Sequence, residues 1–284
     1  MLPVVAGDGA RSELFLQRPS GEPQELVYWL PAAGVPARHY QPLASCLAGH
    51  GLAVALHEWR GIGSSDRRAG RHSDWGYREL LDFDLPAGLA AAREATGLAR
   101  AWLGGHSLGG QLAALYAGLH VQSVAGLVLV ASGAPYWRCF PFGGLFYLAC
   151  ALAPWWARVY GYFPGRRLRL AGNEARSLIA DWACSARSGR YAAAGMREDL
   201  ERRLASLRLP VLGLRMRDDR LAPAASLAWL VGKMPLAERE EEELGPQQLG
   251  GEAGHFSWML MPEPVAARIA HWIETRSGES QART

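Results

Sequence analysis

The nine residues Trp102-Leu103-Gly104-Gly105-His106-Ser107-Leu108-Gly109-Gly110 constrain this chain more than any other stretch. Before them, Ala99 to Leu103 reads as a short apolar strand. After them, Gln111 to Leu119, rich in Ala and Leu, reads as a helix. A Gly-x-Ser-x-Gly held between strand and helix demands a turn so tight that the positions two places either side of the serine carry no Cβ. Gly105 and Gly109 meet that demand. The serine itself is forced into a strained backbone conformation, with its hydroxyl standing clear at the end of a sheet. In a chain this rich in glycine the bare pattern arises by chance roughly 0.2 times. The flanking strand and helix therefore carry the inference, and the alternative is a glycine-rich turn before a helix.

The rest of the chain supplies a sheet for that turn to stand on. Glu13 to Gln17 and Glu25 to Leu30 read as an opening strand pair joined by the turn Pro19 to Pro23. The second runs into the small-residue loop Pro31 to Ala37. A helix is expected over Tyr40 to Gly51, a strand over Leu52 to Trp59, and a polar glycine-rich turn over Arg60 to Asp66. Tyr77 to Ala95 has helical periodicity, with Pro86 either kinking it or marking its true first turn. Val124 to Val130 suits a strand buried on both faces. This alternation of strand and helix predicts an α/β fold with a mostly parallel sheet covered by helices.

From Gly133 to about Ser206 the rhythm breaks. Strand signals disappear and aromatics accumulate, Tyr136, Trp137, Trp155 and Trp156 among them. The expected organisation is a core of residues 1–132 and 207–284 with a helical cap, 133–206, inserted into it. After the insertion, Pro210 to Met216 reads as a strand and Ala224 to Val231 as a helix. Glu238 to Leu244 reads as a polar edge strand with a solvated face, Pro262 to Thr275 as a closing amphipathic helix, and Arg276 to Thr284 as a frayed tail.

A serine hydroxyl needs a base, and the base needs an acid to orient it. The strand ending at Met216 leads into Arg217-Asp218-Asp219-Arg220-Leu221-Ala222-Pro223, and Gly254-His255-Phe256 precedes the last helix. With the Ser107 turn, these segments resemble the α/β-hydrolase superfamily, in its serine-hydrolase branch of esterases, lysophospholipase-like and serine aminopeptidase-like enzymes. The resemblance spans roughly Leu26 to Ile273. It implies an α/β-hydrolase fold in which Ser107 is the nucleophile, His255 the base and Asp219, four before Pro223, the acid. Asp218 is the alternative acid, and a turn or helix cap beside Ala222 is the plainer role for Asp219. His106 is expected to pack beneath the turn. The resemblance also implies an oxyanion hole of backbone N–H groups, one from Leu108 and one from the early loop. There Pro31-Ala32 replaces the usual His-Gly, so Ala33 inherits the role, with Ala32 or Gly34 as substitutes. Tyr136, Trp137 and Phe256 are candidate pocket residues.

The expected activity is hydrolysis of a small-molecule carboxylic ester with an apolar acyl or alcohol group, without metal or cofactor. Rival readings within the enzyme class are a thioesterase or acyltransferase using Arg166, Arg167 and Arg169, and an aminopeptidase using Glu174 or Asp181. Outside that class stands a catalytically silent ligand-binding protein. A net charge of +3 with scattered basic residues gives no ground for a nucleic-acid partner. Cys46, Cys139, Cys150 and Cys184 form no metal-spaced pair and suit buried thiols. With no leader pattern at Met1 to Gly9, a cytoplasmic setting is expected. Phe142 to Trp156 is too short to span a bilayer and reads as cap packing, with an interfacial helix as the lesser alternative.

Overall fold

The computed structural model describes residues 1–168 and 172–281. Its first half lays down β1 (Leu2–Val5), β2 (Arg11–Gln17), β3 (Leu26–Leu30), α1 (Gln41–Gly49) and β4 (Ala53–His57). There follow α2 (Tyr77–Glu79), α3 (Leu85–Thr96), β5 (Ala101–His106), α4 (Leu108–Leu119) and β6 (Val124–Val130). The segment after β6 holds α5 (Gly143–Tyr160), α6 (Gly165–Leu168), α7 (Arg176–Ser188) and α8 (Leu200–Ala205). It also holds the two-residue strands β7 (Phe163–Pro164) and β8 (Asn173–Glu174), which pair antiparallel. The chain closes with β9 (Pro210–Met216), α9 (Ala224–Gly232), β10 (Glu238–Leu244), α10 (Pro246–Leu249) and α11 (Glu263–Gln281).

Eight strands form one sheet in the order β1-β2-β4-β3-β5-β6-β9-β10. Only β2 runs antiparallel to its neighbours β1 and β4; every other pairing is parallel. Strand alternation divides the core between two faces. Leu26, Tyr28 and Leu30 of β3 pack with Leu85, Leu89, Leu112 and Leu115 from α3 and α4. Val27 and Trp29 face the other way, onto Leu43 and Leu47 of α1, Val265 and Ile269 of α11, and Trp258. A sheet buried on both sides explains why β3, β4 and β5 read as unbroken apolar runs.

The opening strands differ from the sequence expectation. β2 does not pair with β3; it lies between β1 and β4. The burial of β3 at every position demands a neighbour on each side, and β4 and β5 supply them in parallel. β1 was hidden because only Val4 of its four residues is buried. The helix over Tyr77 to Ala95 is broken by a π-helical turn at Leu80–Asp84, and Pro86 sits in the first turn of α3, where its missing N–H has no consequence. Asp84, at that junction, is buried and takes both the backbone N–H and the guanidinium of Arg60. Arg60 also reaches Asp8, which ties the β1–β2 turn to the sheet.

The glutamates of β10 do form an edge strand, but four of the five are paired with arginines. Arg268 of α11 binds Glu240 and Glu242, Arg276 binds Glu238, and Arg217 binds Glu243. α11 continues to Gln281 where a frayed tail was expected, and residues 282–284 lie outside the described residues.

Candidate active site

Ser107 sits between the last residue of β5 and the first of α4 with φ 54° and ψ −120°. That conformation costs a non-glycine residue about 1–3 kcal/mol and persists only where its surroundings enforce it. The enforcement is visible. A Cβ on Gly105 would lie 2.3 Å from the carbonyl carbon of Gly109, and one on Gly109 would lie 2.1 Å from the carbonyl oxygen of Leu30. The elbow thus closes against the end of β3. Ser107 N–H donates to Val130 O of the neighbouring strand, and Ser132 Oγ donates to Ser107 O at 2.7 Å.

β9 and the loop before α11 bring the other two expected residues together. Asp219 is buried; Asp218 is exposed. One oxygen of Asp219 accepts the N–H groups of Leu221 and Ala222 at 2.7 and 2.9 Å. The other accepts from His255 Nδ1 at 2.7 Å. The plain loop-bracing role and the His-orienting role are therefore both held by one carboxylate. Asp218 N–H donates to Ala253 O, which fastens the acid loop to the histidine loop. With Nδ1 engaged, His255 keeps Nε2 for other work. Its ring centroid stands 4.8 Å from that of His106, the residue bonded to Ser107. No hydrogen bond joins Ser107 Oγ to His255 among the described residues; such contacts are commonly long until a substrate tightens them.

His106 does pack beneath the turn, fully buried, and burial holds its imidazole well below the ordinary value, so it is neutral. Its partner is Tyr40, a residue that carried no motif signal. The Tyr40 hydroxyl accepts Ala32 N–H at 2.9 Å and shares a hydrogen bond of 2.9 Å with His106 Nδ1. Ala32 is thereby removed from the candidate oxyanion donors, while Ala33 and the first-turn amide of Leu108 stay uncommitted. Because Leu30 and Pro31 abut Gly109, those two amides sit on touching stretches of backbone.

Two hollows open beside the loop after β3, both lined by Gly34 and Pro36 and neither by Ser107 itself. One is an open groove of about 610 Å³ lined by Val35, His39, Pro42, Phe256, Met259 and Leu260 among others. The other is a smaller cavity of about 110 Å³, polar, whose lining includes Arg68, Arg166, Asn173 and Glu174. Of the expected pocket residues, Phe256 lines the groove. Tyr136 instead stacks 4.5 Å from Trp229, and Trp137 meets Tyr147 edge-on at 5.5 Å; neither lines either hollow. Asp181 is consumed by the N–H groups of Tyr77 and Ala194. Arg167 is exposed, and Arg169 lies outside the described residues. Among the described residues no cluster of three His, Cys, Asp or Glu side chains has a geometry for a metal ion.

A family described as serine aminopeptidase, S33, matches residues 21–242. The chain belongs to that family. Membership makes it an α/β hydrolase of the serine-hydrolase kind, as the resemblance at the Ser107 turn implied. Solved structures agree on the fold. A monoacylglycerol lipase of Paleococcus ferrophilus matches with a TM-score of 0.64 at 17% identity, over 93% of this chain and 99% of that one. Est1E of Butyrivibrio proteoclasticus, with ferulic acid bound, matches at 0.66 and 14%, over 97% and 99%. An esterase of Thermogutta terrifontis matches at 0.64 and 18%, over 97% and 98%. No curated protein matches the sequence.

Replacing Tyr40 by Phe removes the acceptor for Ala32 N–H and the hydrogen-bond partner of His106 Nδ1. An unsatisfied buried amide costs about 1–3 kcal/mol. Urea unfolding of Tyr40→Phe is expected to show a loss of that size, and an unchanged midpoint would contradict the bridging role.

Proposed function

We propose that this serine hydrolase cleaves carboxylic esters bearing an apolar acyl or alcohol group, through an acyl-enzyme on Ser107. The observation that carries the reading is the buried 2.7 Å pairing of His255 with Asp219 beside the strained Ser107. His255 Nε2 takes the hydroxyl proton as Ser107 Oγ attacks the ester carbonyl. Asp219 fixes the tautomer and steadies the imidazolium. The amides of Leu108 and Ala33 meet the oxyanion. Collapse breaks the bond to the alcohol, which leaves with the proton from His255. A water then attacks the acyl-enzyme, giving its proton to His255, and the acid departs as Ser107 is reprotonated. Phe256, Met259 and Leu260 in the open groove favour an apolar substituent. Segment 133–206 serves as the cap over this core.

One observation favours a second reading, an amine-bearing aminoacyl substrate. Glu174 is 7% exposed, its Oε1 has no hydrogen-bond partner among the described residues, and it lines the polar cavity beside Gly34, next to Ala33. Burial pushes its carboxyl up to about 7, with Arg166 opposing. A substrate ammonium there would meet a carboxylate in want of a partner.

Two measurements separate these readings. Ser107→Ala should lower p-nitrophenyl ester turnover by about 10⁴–10⁶-fold; an undiminished rate removes the nucleophile assignment and both readings with it. For Glu174, the folded value lies above the unfolded 4.5, so ionisation costs stability as pH rises from about 4.5 through about 7. Glu174→Gln is expected to match the native protein at pH 4 and to exceed it above pH 7 by about 3 kcal/mol. The same variant should lose any aminoacyl-arylamide hydrolysis, and native protein without arylamide turnover dismisses the amine reading.

A further inference from the structure

The helix α5 is turned inside out relative to an ordinary surface helix. Its inner side is modest: Phe146 and Cys150 pack toward α7, where Ala183 and Ala186 receive them, and Ala157 is buried. Its outer side carries Leu145, Leu148, Leu152, Trp155 and Val159, spaced three and four apart, each more than half exposed. Trp156, Tyr147 and Tyr160 flank this stripe. At the N-terminal end Phe142, 88% exposed, is held at φ 55°, a left-handed conformation a bulky residue rarely adopts, with its ring presented to solvent. An apolar stripe of five residues on a helix, facing away from the core, marks a surface that is covered in use.

The chemistry of its surroundings selects the occupant. Residues 131–173 contain no aspartate or glutamate, while arginines stand at 138, 158, 166, 167 and 169. Arg138, Arg158, Arg166 and Arg167 are exposed, Arg138 lying over the Trp137 ring at 5.0 Å. A second copy of the chain docked on the same face would set these like charges against each other. An anionic lipid surface would neutralise them, accept the leucines among its acyl chains and place tryptophan and tyrosine rings at the head-group level. Among the described residues no helix is long and apolar enough to cross a membrane, so the stripe suits lying in the interface.

We propose that α5 docks the protein on anionic lipid bilayers, with the stripe from Leu145 to Val159 and the Phe142 ring inserted and the neighbouring arginines on the head groups. This goes beyond the hydrolytic reading and does not depend on it.

The test is sedimentation of the full chain carrying Ser107→Ala, so that hydrolysis plays no part, with extruded vesicles. The vesicles are phosphatidylcholine alone or with about 30% phosphatidylglycerol. The protein is expected to sediment with the anionic vesicles, with a blue-shifted tryptophan emission, and to be released by about 0.5 M salt. Adding Leu148→Ser and Leu152→Ser should weaken the partition at least about tenfold. In the chain with Ser107 intact, the same two substitutions should leave hydrolysis of a soluble ester unchanged, since both side chains point away from the core. Absence of sedimentation, or equal sedimentation of the double variant, overturns the proposal. So does a dimer in vesicle-free buffer that the double variant dissolves, which would assign the face to a second copy.

Discussion

A serine at φ 54° and ψ −120° does not stay there on its own, and the molecule is arranged to hold it. The holding is done by backbone meeting backbone. β5 lies between β3 and β6 in the middle of a sheet covered on both faces, so it cannot shift to relax its last residue. The first turn of α4 is pressed against the carbonyls of Leu30 and Pro31, with only glycine hydrogens between. Ser132 at the end of β6 secures the carbonyl of Ser107 from the other side. The strain is thus distributed over three parallel strands. The same arrangement leaves the Leu108 amide at a helix start with no internal acceptor.

The proposed partners of Ser107 are held by a similar economy of parts. Asp219 spends one oxygen on its own loop and one on His255, so acid position and loop shape are set by the same side chain. The Asp218 amide then sews that loop to Ala253, two residues before the histidine. Tyr40 links Ala32 to His106, joining the loop that would hold an oxyanion to the elbow that would create it. These links join the start of α1 to β5, and the loop after β9 to the loop before α11, segments far apart in the chain. A chemical site built this way inherits its precision from the sheet rather than from any one loop.

What could be read in advance follows from this division. The tight turn at Ser107 demands particular glycines at fixed offsets, so its geometry was legible in nine residues. The pairing of Asp219 with His255 was legible through the resemblance of their two loops to those of the α/β-hydrolase superfamily. Tyr40 was not, because a tyrosine at the start of a helix has no signature until Ala32 is folded beside it. The neighbours of β2 and β3 were misassigned because turn residues reveal a chain reversal but not which strand is inserted between. Glu174, in a two-residue strand, gave no sign of burial. In α5 the apolar residues were plain, but periodicity does not tell which face meets the core. Tyr136 and Trp137 followed the same limit: the abundance of aromatics after β6 suggested a pocket, whereas packing directs these two to Trp229 and Tyr147.

The proposed acyl transfer requires a Ser107 hydroxyl primed to attack an electrophile. Reaction with a fluorophosphonate followed by peptide mass mapping tests it most directly, because the adduct reports both activation and position. A single stoichiometric adduct on the peptide containing Ser107 is expected. A folded protein that stays unlabelled, or carries its adduct on another residue, would contradict it.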